Sequence, residues 1–240
     1  MKAVFLSDAH LKREHDCGYQ KLLRFFSTIR SGIDHLFIAG DFFDFWFCAN
    51  GRIYPEYVTV ISELRELQKS GVRVHFCEGN HDFSLASYFT GQLGMDVFTE
   101  WADIVLDGLR ILLSHGDTVD TTNTSYLFLR RVLRTRLFGR VQKNIPSFVR
   151  WKMAELSSNM SKGLTEESKD QLAEKMNSFS IVKFHQSYDA VILGHCHKPI
   201  LRQYVIDGRE KTFATLGDWV EYYSYLLFDE GRFVLRFFES

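Results

Sequence analysis

Short apolar runs and helical stripes alternate through the first third of the chain. Lys2 to Ser7 reads as a buried strand, Leu22, Leu23, Phe25, Phe26 and Ile29 recur at helical spacing, and Ile33 to Ala39 reads as the next buried strand. Val58, Ile61, Leu64 and Leu67 step along a second helix that stops at Gly71, and Val72 to Cys77 follows as a third strand. Strand, helix, strand, helix, strand predicts a mostly parallel sheet. Further on, Ile104 to Leu106 and Leu109 to Leu113 flank Asp107-Gly108, a compact hairpin signal. Asp189 to Leu193 is a short apolar strand. Ile200 to Ile206, Thr212 to Leu216, Tyr223 to Phe228 and Phe233 to Phe238 then make a run of strands, with turns at Asp207-Gly208 and Glu230-Gly231.

Between about Thr122 and Lys183 the strand alternation gives way to helical patterning. Tyr126, Leu129, Leu133 and Leu137 make one stripe, widened by Phe128 and Val132, while Arg130, Arg131 and Arg134 share another face. Pro146 predicts a new helix start, and another helix runs from about Thr165, with Glu166 and Glu167 in its first turn. The expected organisation is an α/β core over residues 1–121 and 184–240, with residues 122–183 forming an inserted helical cap.

At 240 residues the chain is long enough to bury a large core without a staple. Its cysteines, Cys17, Cys48, Cys77 and Cys196, show no C-x-x-C pairing, which predicts a reducing, cytoplasmic compartment. No stretch has the length of a signal peptide core or a membrane span, so the expectation is a soluble protein or one lying on a membrane surface. The net charge of −1 excludes a globally basic nucleic-acid binder. It hides a local asymmetry, because Asn123 to Ala154 holds eight basic residues and no acid.

Five strand ends carry the metal-friendly residues: Asp8-x-His10, Gly40-Asp41-x-x-Asp44, Gly79-Asn80-His81-Asp82, Ser114-His115-Gly116-Asp117 and Gly194-His195-Cys196-His197. Loops after strands are where α/β sheets place ligand sites. Each block has a bland reading: Asp8 ending a strand, Asp44 capping a helix, a single histidine packed in the core. All five together, in order and each after an apolar strand, point to a metal centre. Carboxylate, imidazole and amide oxygen suit Mn²⁺, Fe²⁺, Co²⁺ or Zn²⁺ in a hydrolytic site. Cys196 is read as packing. The aromatics Phe42, Phe43, Phe45, Trp46 and Phe47 are candidates either for the core or for a substrate wall.

The series D-x-H, G-D-x-x-D, G-N-H-D, H and G-H-x-H, spread from Asp8 to His197, resembles the calcineurin-like metallophosphoesterases. That resemblance implies a four-layer α-β-β-α sandwich with two divalent ions, most simply Mn²⁺, at the sheet edge. It implies that Asp8, His10, Asp41 and His197 hold one ion, that Asp41, Asn80, His115 and His195 hold the second, and that Asp41 bridges them. Two ions roughly 3.5 to 4 Å apart supply a nucleophile at neutral pH and clamp the oxygens of an in-line phosphoryl displacement. His81 is then free to stabilise charge or protonate a leaving oxygen, with Asp82 expected to orient it.

Within the family, the string from Ser114 to Thr118, the cap and Leu216-Gly217-Asp218-Trp219 resemble the UDP-2,3-diacylglucosamine pyrophosphatase subfamily, which forms lipid X and UMP on the way to lipid A. The implied substrate is an acylated sugar nucleotide, contacted by Asn80, His81 and His195 and, in the cap, by Asn123, Tyr126, Ser158 and Lys162. His81 stands where that subfamily carries arginine, a change in charge and donor number. Arg130, Arg131, Arg134, Arg136, Arg140 and Lys143 beside Tyr126, Phe128, Leu133, Leu137, Phe138 and Trp151 suggest a pocket that takes anions at one end and acyl chains at the other. Such a cap would also sit on an anionic membrane, at about 1 kcal/mol per basic residue; the expected location is cytoplasmic, peripheral to the inner membrane. No nucleic acid and no obligate protein partner is expected. A metallophosphoesterase for another nucleotide or small phosphoester is the alternative that His81 favours, and a non-catalytic binding scaffold on the same fold is a further one.

Overall fold

A computed structural model of the chain describes residues 1–46, 48, 53–135 and 166–239. The strands and helices of the first third lie where the periodicity puts them: β1 (Lys2–Leu6), α1 (Cys17–Ile29), β2 (His35–Ala39), α2 (Val58–Lys69) and β3 (Arg73–Cys77). β1, β2 and β3 pair in parallel, Val4 beside Leu36 and Leu36 beside Val74. Two short elements follow that the sequence pattern did not disclose. α3 (Ala86–Leu93) ends in a left-handed Gly94, and β4 (Asp96–Phe98) adds in parallel to β3. Both fall below the length at which periodicity separates helix from strand.

The remaining elements are β5 (Trp101–Leu106), β6 (Leu109–Ser114), α4 (Thr124–Leu133), α5 (Glu166–Phe184), β7 (Ala190–Leu193), β8 (Pro199–Ile206), β9 (Arg209–Leu216), β10 (Ser224–Asp229) and β11 (Arg232–Phe237). They do not extend one sheet. The first sheet has the order β11-β10-β1-β2-β3-β4 and the second β5-β6-β7-β9-β8. Each is mixed: β6 to β7 and β7 to β9 are parallel, whereas β10 joins β1 antiparallel and carries the C-terminal hairpin back to the first sheet.

Alternation along the strands produces four layers. Val4, Leu6, Leu36, Ile38, Val74 and Phe76 face outward onto Leu22, Phe26, Val60, Leu64 and Phe89 of the first helical layer. The alternate set Ala3, Phe5, Phe37, Ala39 and Cys77 meets Ala102, Ile111, Leu113, Ala190, Ile192 and Ala214 between the sheets. Phe5 and Phe37 stack there at 4.8 Å, and burying each ring contributes about 1.5–3 kcal/mol. Leu112, Val191, Leu193 and Phe213 face the other way, onto Ala173, Met176 and Phe184 of α5. α5 thus supplies the fourth layer, and the boundary expected between residues 183 and 184 falls inside its last turn. The expected helix start at Pro146 lies outside the described residues.

Of the aromatics after Asp41, Phe42, Phe43 and Trp46 are buried core, Phe42 against Phe26 and Phe76 and the other two against Tyr57 and Phe89, while Phe45 is half-buried; Phe47 lies outside the described residues. Cys196 is buried beside Val191 and Phe213, as packing.

At the opposite end of the parallel strands from the site described below, β2 and β3 place two histidines between the sheets. His35 Nδ1 lies 3.0 Å from His75 Nε2, and His75 Nδ1 lies 2.9 Å from an Asp96 carboxylate oxygen. Burial, then the nearby Arg73, pushes His35 down, and burial, then His35 itself, pushes His75 down to about 4. Both rings therefore bind fewer protons folded than unfolded. Their contribution to stability is complete above the ordinary histidine value of about 6.5 and is lost as the pH falls toward that of the folded protein. Urea midpoints measured between pH 7 and pH 4 are expected to fall less steeply for His75→Phe than for the unaltered protein. Parallel curves would show that the pair carries no proton linkage.

Candidate metal centre

All five blocks meet at one edge, because each follows the C-terminal end of a parallel strand: β1 delivers Asp8 and His10, β2 Asp41, β3 Asn80 and His81, β6 His115, and β7 His195 and His197. Backbone bonds align the loops, Asp8 N–H donating to Gly40 O at 3.1 Å and His10 N–H to Asp41 O at 3.0 Å. The two sheets are joined there. His195 N–H donates to Asp8 Oδ2 at 2.9 Å, and His115 Nε2 lies 2.9 Å from Asn80 Oδ1.

Bringing so many side chains to one point requires unusual backbone. Asp8, His10, Asp41, His195 and His197 all have positive φ, between 43° and 68°. Left-handed conformation costs a non-glycine residue about 1–2 kcal/mol. In D-x-H and H-x-H it turns two alternate side chains inward together. The glycines answer a different demand. A Cβ on Gly79 would stand 2.1 Å from Asp41 Oδ1, and one on Gly194 would stand 2.8 Å from Asp8 Oδ2, so each block leaves room for a carboxylate from another.

The inward atoms form overlapping groups. Asp8 Oδ1 is 4.0 Å from His10 Nε2 and 3.4 Å from His197 Nε2. Asp41 Oδ2 is 3.8 Å from His10 Nε2, 3.9 Å from His81 Nε2 and 3.4 Å from His115 Nε2. Among the described residues, Asp8, His10 and His197, and likewise Asp8, Asp41 and His115, bring ligand atoms within 4.8 Å of one another. His195 stands edge-on to His115, ring centroids 5.0 Å apart.

These atoms fit cations. Asp8 Oδ1 and His10 Nε2 are buried with no hydrogen-bond partner, 4.0 Å apart. His115 Nδ1 lies 3.0 Å from the Ala39 carbonyl and Nε2 faces the oxygens of Asn80 and Asp41; burial acts to lower the ring, yet Asp41 outweighs it and pushes the ring up to about 10, so Nε2 holds a proton that a bound cation would displace. Asp41 divides its oxygens, Oδ1 accepting from His81 N–H at 2.8 Å and Oδ2 reaching into the site. Electrostatics agree. Burial pushes His10 down to about 3 and, with His115 adding to it, His195 down to about 4, so both offer neutral nitrogens. Burial raises Asp8, and burial with the Asp41 charge raises Asp82 to about 8. Burial acts to raise Asp41 as well, yet His115 and His81 hold it well below the usual carboxylate range. A dry site with this many carboxylates calls for positive charge.

Around these groups lie carboxylates with supporting roles, and here the structure corrects one expectation. Asp82 does not orient His81. Its oxygens accept from four backbone N–H groups, those of Asp41, Phe42, Phe43 and Gly79, at 2.7–3.2 Å, which ties the second block to the third. The His81 ring is held instead by the Asp44 carbonyl, 2.9 Å from Nδ1. Asp44 caps no helix; its Oδ1 lies 3.8 Å from His10 Nδ1. Asp218, quoted above only within a subfamily string and given no role, is 3.3 Å from His197 Nδ1 and accepts through Oδ1 from the N–H groups of Val220, Glu221 and Tyr222. Asp218 follows an apolar strand, β9, as the other blocks do, and that placement was the available signal.

Residues expected to contact substrate are spread more widely. Asn123 is the N-cap of α4, accepting from Tyr126 N–H at 3.2 Å, and the Tyr126 hydroxyl donates to Asp117 at 2.6 Å. Ser158 and Lys162 lie outside the described residues. The expected basic face of α4 is not free for anions: Arg130 pairs with Asp117 and Glu100, and Arg134 with Glu78. Phe128, Leu129 and Val132 are exposed instead. Arg136, Arg140 and Lys143 lie outside the described residues.

The calcineurin-like phosphoesterase family model matches residues 1–199. Proteins named UDP-2,3-diacylglucosamine hydrolase are similar over most of their length. The one from Ectopseudomonas mendocina (strain ymp) is 29% identical, covering 90% of this chain and 89% of its own. That from Stutzerimonas stutzeri (strain A1501) is 30% identical with 90% of each covered, and that from Pseudomonas entomophila (strain L48) 29% with 98% of each. Among solved structures, a novel archaeal phosphodiesterase aligns at a TM-score of 0.50 with 14% identity, over 99% of this chain and 100% of its own, a likeness of fold.

Replacing Asp82 by Asn turns an amide toward backbone N–H groups that now find oxygen. Each buried donor left unsatisfied costs about 1–3 kcal/mol. Urea unfolding of the chelator-treated Asp82→Asn protein is expected to show at least that loss. A change below about 0.5 kcal/mol, the range of ordinary surface substitutions, would show that Asp82 does not hold the two loops together.

Proposed function

The chain belongs to the calcineurin-like phosphoesterase family, and from that premise we propose that it cleaves the pyrophosphate of UDP-2,3-diacylglucosamine, giving 2,3-diacylglucosamine 1-phosphate (lipid X) and UMP. Metal-dependent phosphoester hydrolysis follows from the family and its hydrolase-named relatives, which sets aside a non-catalytic scaffold. The finer assignment rests on those relatives' names together with one observation: Asp8 belongs to two overlapping groups of ligand atoms, and Asp41 Oδ2 reaches His10 Nε2 at 3.8 Å in one and His115 Nε2 at 3.4 Å in the other.

In this reading Asp8, His10, Asp41 and His197 hold one divalent ion, and Asp41, Asn80, His115 and His195 the second, Mn²⁺ being the best match to the oxygen and imidazole set. Bound ions supply charge neutralisation for the phosphoryl oxygens and a nucleophile at neutral pH. The chain's own part is orientation and proton handling. Asp41 keeps Oδ1 on His81 N–H, so Oδ2 is the oxygen that would be left to hold a cation. Because the Asp44 carbonyl occupies His81 Nδ1, Nε2 is the ring atom left to face the leaving oxygen, and only the imidazolium form could give it a proton there.

Of the segment expected as a cap, α5 belongs to the fourth layer of the core, and α4 covers the acylated half of the substrate. The exposed Phe128, Leu129 and Val132 of α4 support this, being a stripe that acyl chains would cover, with Arg131 exposed beside it. Among the described residues no helix is long and apolar enough to cross a membrane. Peripheral attachment to the cytoplasmic face of the inner membrane, where such a substrate resides, completes the proposal.

His81 favours a second reading, a metallophosphoesterase for another nucleotide or small phosphoester, because a single imidazole nitrogen replaces a two-armed guanidinium against the phosphates. Turnover of UDP-2,3-diacylglucosamine, its deacylated analogue and a panel of dinucleotides with Mn²⁺ separates the two. Preference for the acylated compound is expected, and indifference to acylation would favour the second. Asp41→Ala is expected to lower kcat by at least the roughly 10–100-fold that loss of an outer partner of a ligand costs, with far-ultraviolet circular dichroism unchanged. Turnover equal to the unaltered protein would remove Asp41 from the centre.

A further inference from the structure

Helix α4 touches the centre without supplying any of the seven ligands proposed above. Arg130 and Arg134 lie one turn apart on it and both turn inward. Arg134 donates through Nη2 to the Gly79 carbonyl at 2.8 Å and through Nη1 to the Thr99 carbonyl at 2.7 Å and to Glu78 Oε2 at 3.1 Å. Glu78 is buried, and its other oxygen accepts from Leu85 N–H at 2.8 Å, so the guanidinium closes both ends of the turn that presents Asn80 and His81. Arg134 also lies over the Phe83 ring at 5.7 Å. Arg130 donates through Nε to Asp117 Oδ2 at 2.6 Å, on the loop two residues past His115, and Tyr126 donates to the same oxygen at 2.6 Å.

The two loops so gripped are those of Asn80 and His115, whose side chains meet at 2.9 Å across the gap between the sheets. α4 makes no comparable bond to the loops of Asp8 and His10, or of His195 and His197, among the described residues. A helix spanning two ligand loops sets their separation as a strut does. A guanidinium suits this use because its planar fork reaches two carbonyls and a carboxylate from two separate nitrogens, whereas an ammonium offers its donors from a single point.

We propose that α4 is a brace for one ion position only: Arg134 and Arg130 are positioning residues that set the Asn80 to His115 spacing, and with it occupancy of the second metal, while the Asp8, His10 and His197 position is independent of them. This rests on the dimetal reading above but not on the identity of the phosphoester.

Manganese binding to the whole protein tests the brace without reference to turnover. Crystals soaked at a sub-saturating Mn²⁺ concentration give anomalous occupancy at each position, and calorimetric titration gives the two binding steps. Arg134→Met is expected to weaken one step about 10–100-fold, with occupancy lost on the Asn80 and His115 side and retained beside Asp8, His10 and His197. Arg134→Lys, which restores charge but not the fork, is expected to fall between, and it decides the matter if the methionine variant does not fold. Asp218→Asn, acting through His197, is expected to produce the opposite asymmetry. Equal weakening of both positions in Arg134→Met, or no weakening in a folded variant, overturns the brace. Hydrolysis of bis(p-nitrophenyl) phosphate alongside keeps the readings apart. An unaltered protein that takes up two Mn²⁺ ions and cleaves this ester but not UDP-2,3-diacylglucosamine sinks the substrate assignment and leaves the brace standing, whereas uptake of fewer than two ions sinks both.

Discussion

Carboxylates and imidazoles crowded into one dry place are the constraint around which this fold is arranged. Asp8 Oδ1 and His10 Nε2 are sealed from water and meet no donor, and His115 alone reaches the oxygens of both Asn80 and Asp41. Such crowding is costly, and the neighbouring carboxylates hold it in place. Asp82 uses all its accepting capacity on backbone N–H groups that keep the Asp41 and Gly79 loops together. Asp218 steadies the far side of His197. The left-handed backbone at five of the inward residues is a further cost set against the same end.

Layering explains how a sandwich tolerates this. Each inward loop leaves a strand whose alternate residues are locked into two different cores, as Leu36 and Ile38 are in one and Phe37 and Ala39 in the other. A strand anchored on both faces cannot slip by one residue without inverting both sets. The strain at its end is therefore borne by a rigid base.

What could be read from the residues themselves follows the same division. Strands that bury both faces, such as Val72 to Cys77, and the polar blocks behind them were visible because burial and chemistry both leave marks at fixed spacing. The assembly into two mixed sheets was not visible as a pattern, since the return of β10 to β1 is a choice of partner that no local periodicity records. α3 and β4 are too short to show a period. The basic stripe on α4 was legible as a stripe, but its direction was not: Arg130 and Arg134 turn toward Asp117 and Glu78, acids 13 and 56 positions away that sit in or beside ligand loops. Asp82 was misread for the related reason that proximity in sequence to His81 says nothing of which backbone its oxygens meet.

The bond from His195 N–H to Asp8 Oδ2 spans 187 positions of the chain, and Gly194 leaves the room in which Asp8 sits. Synthesis runs from the amino end, so the polypeptide emerging from a ribosome carries Asp8 and His10 long before their partners exist. The group of Asp8, His10 and His197 therefore closes only when nearly all of the chain is in hand, and β1 itself waits for β10 to cover its second edge.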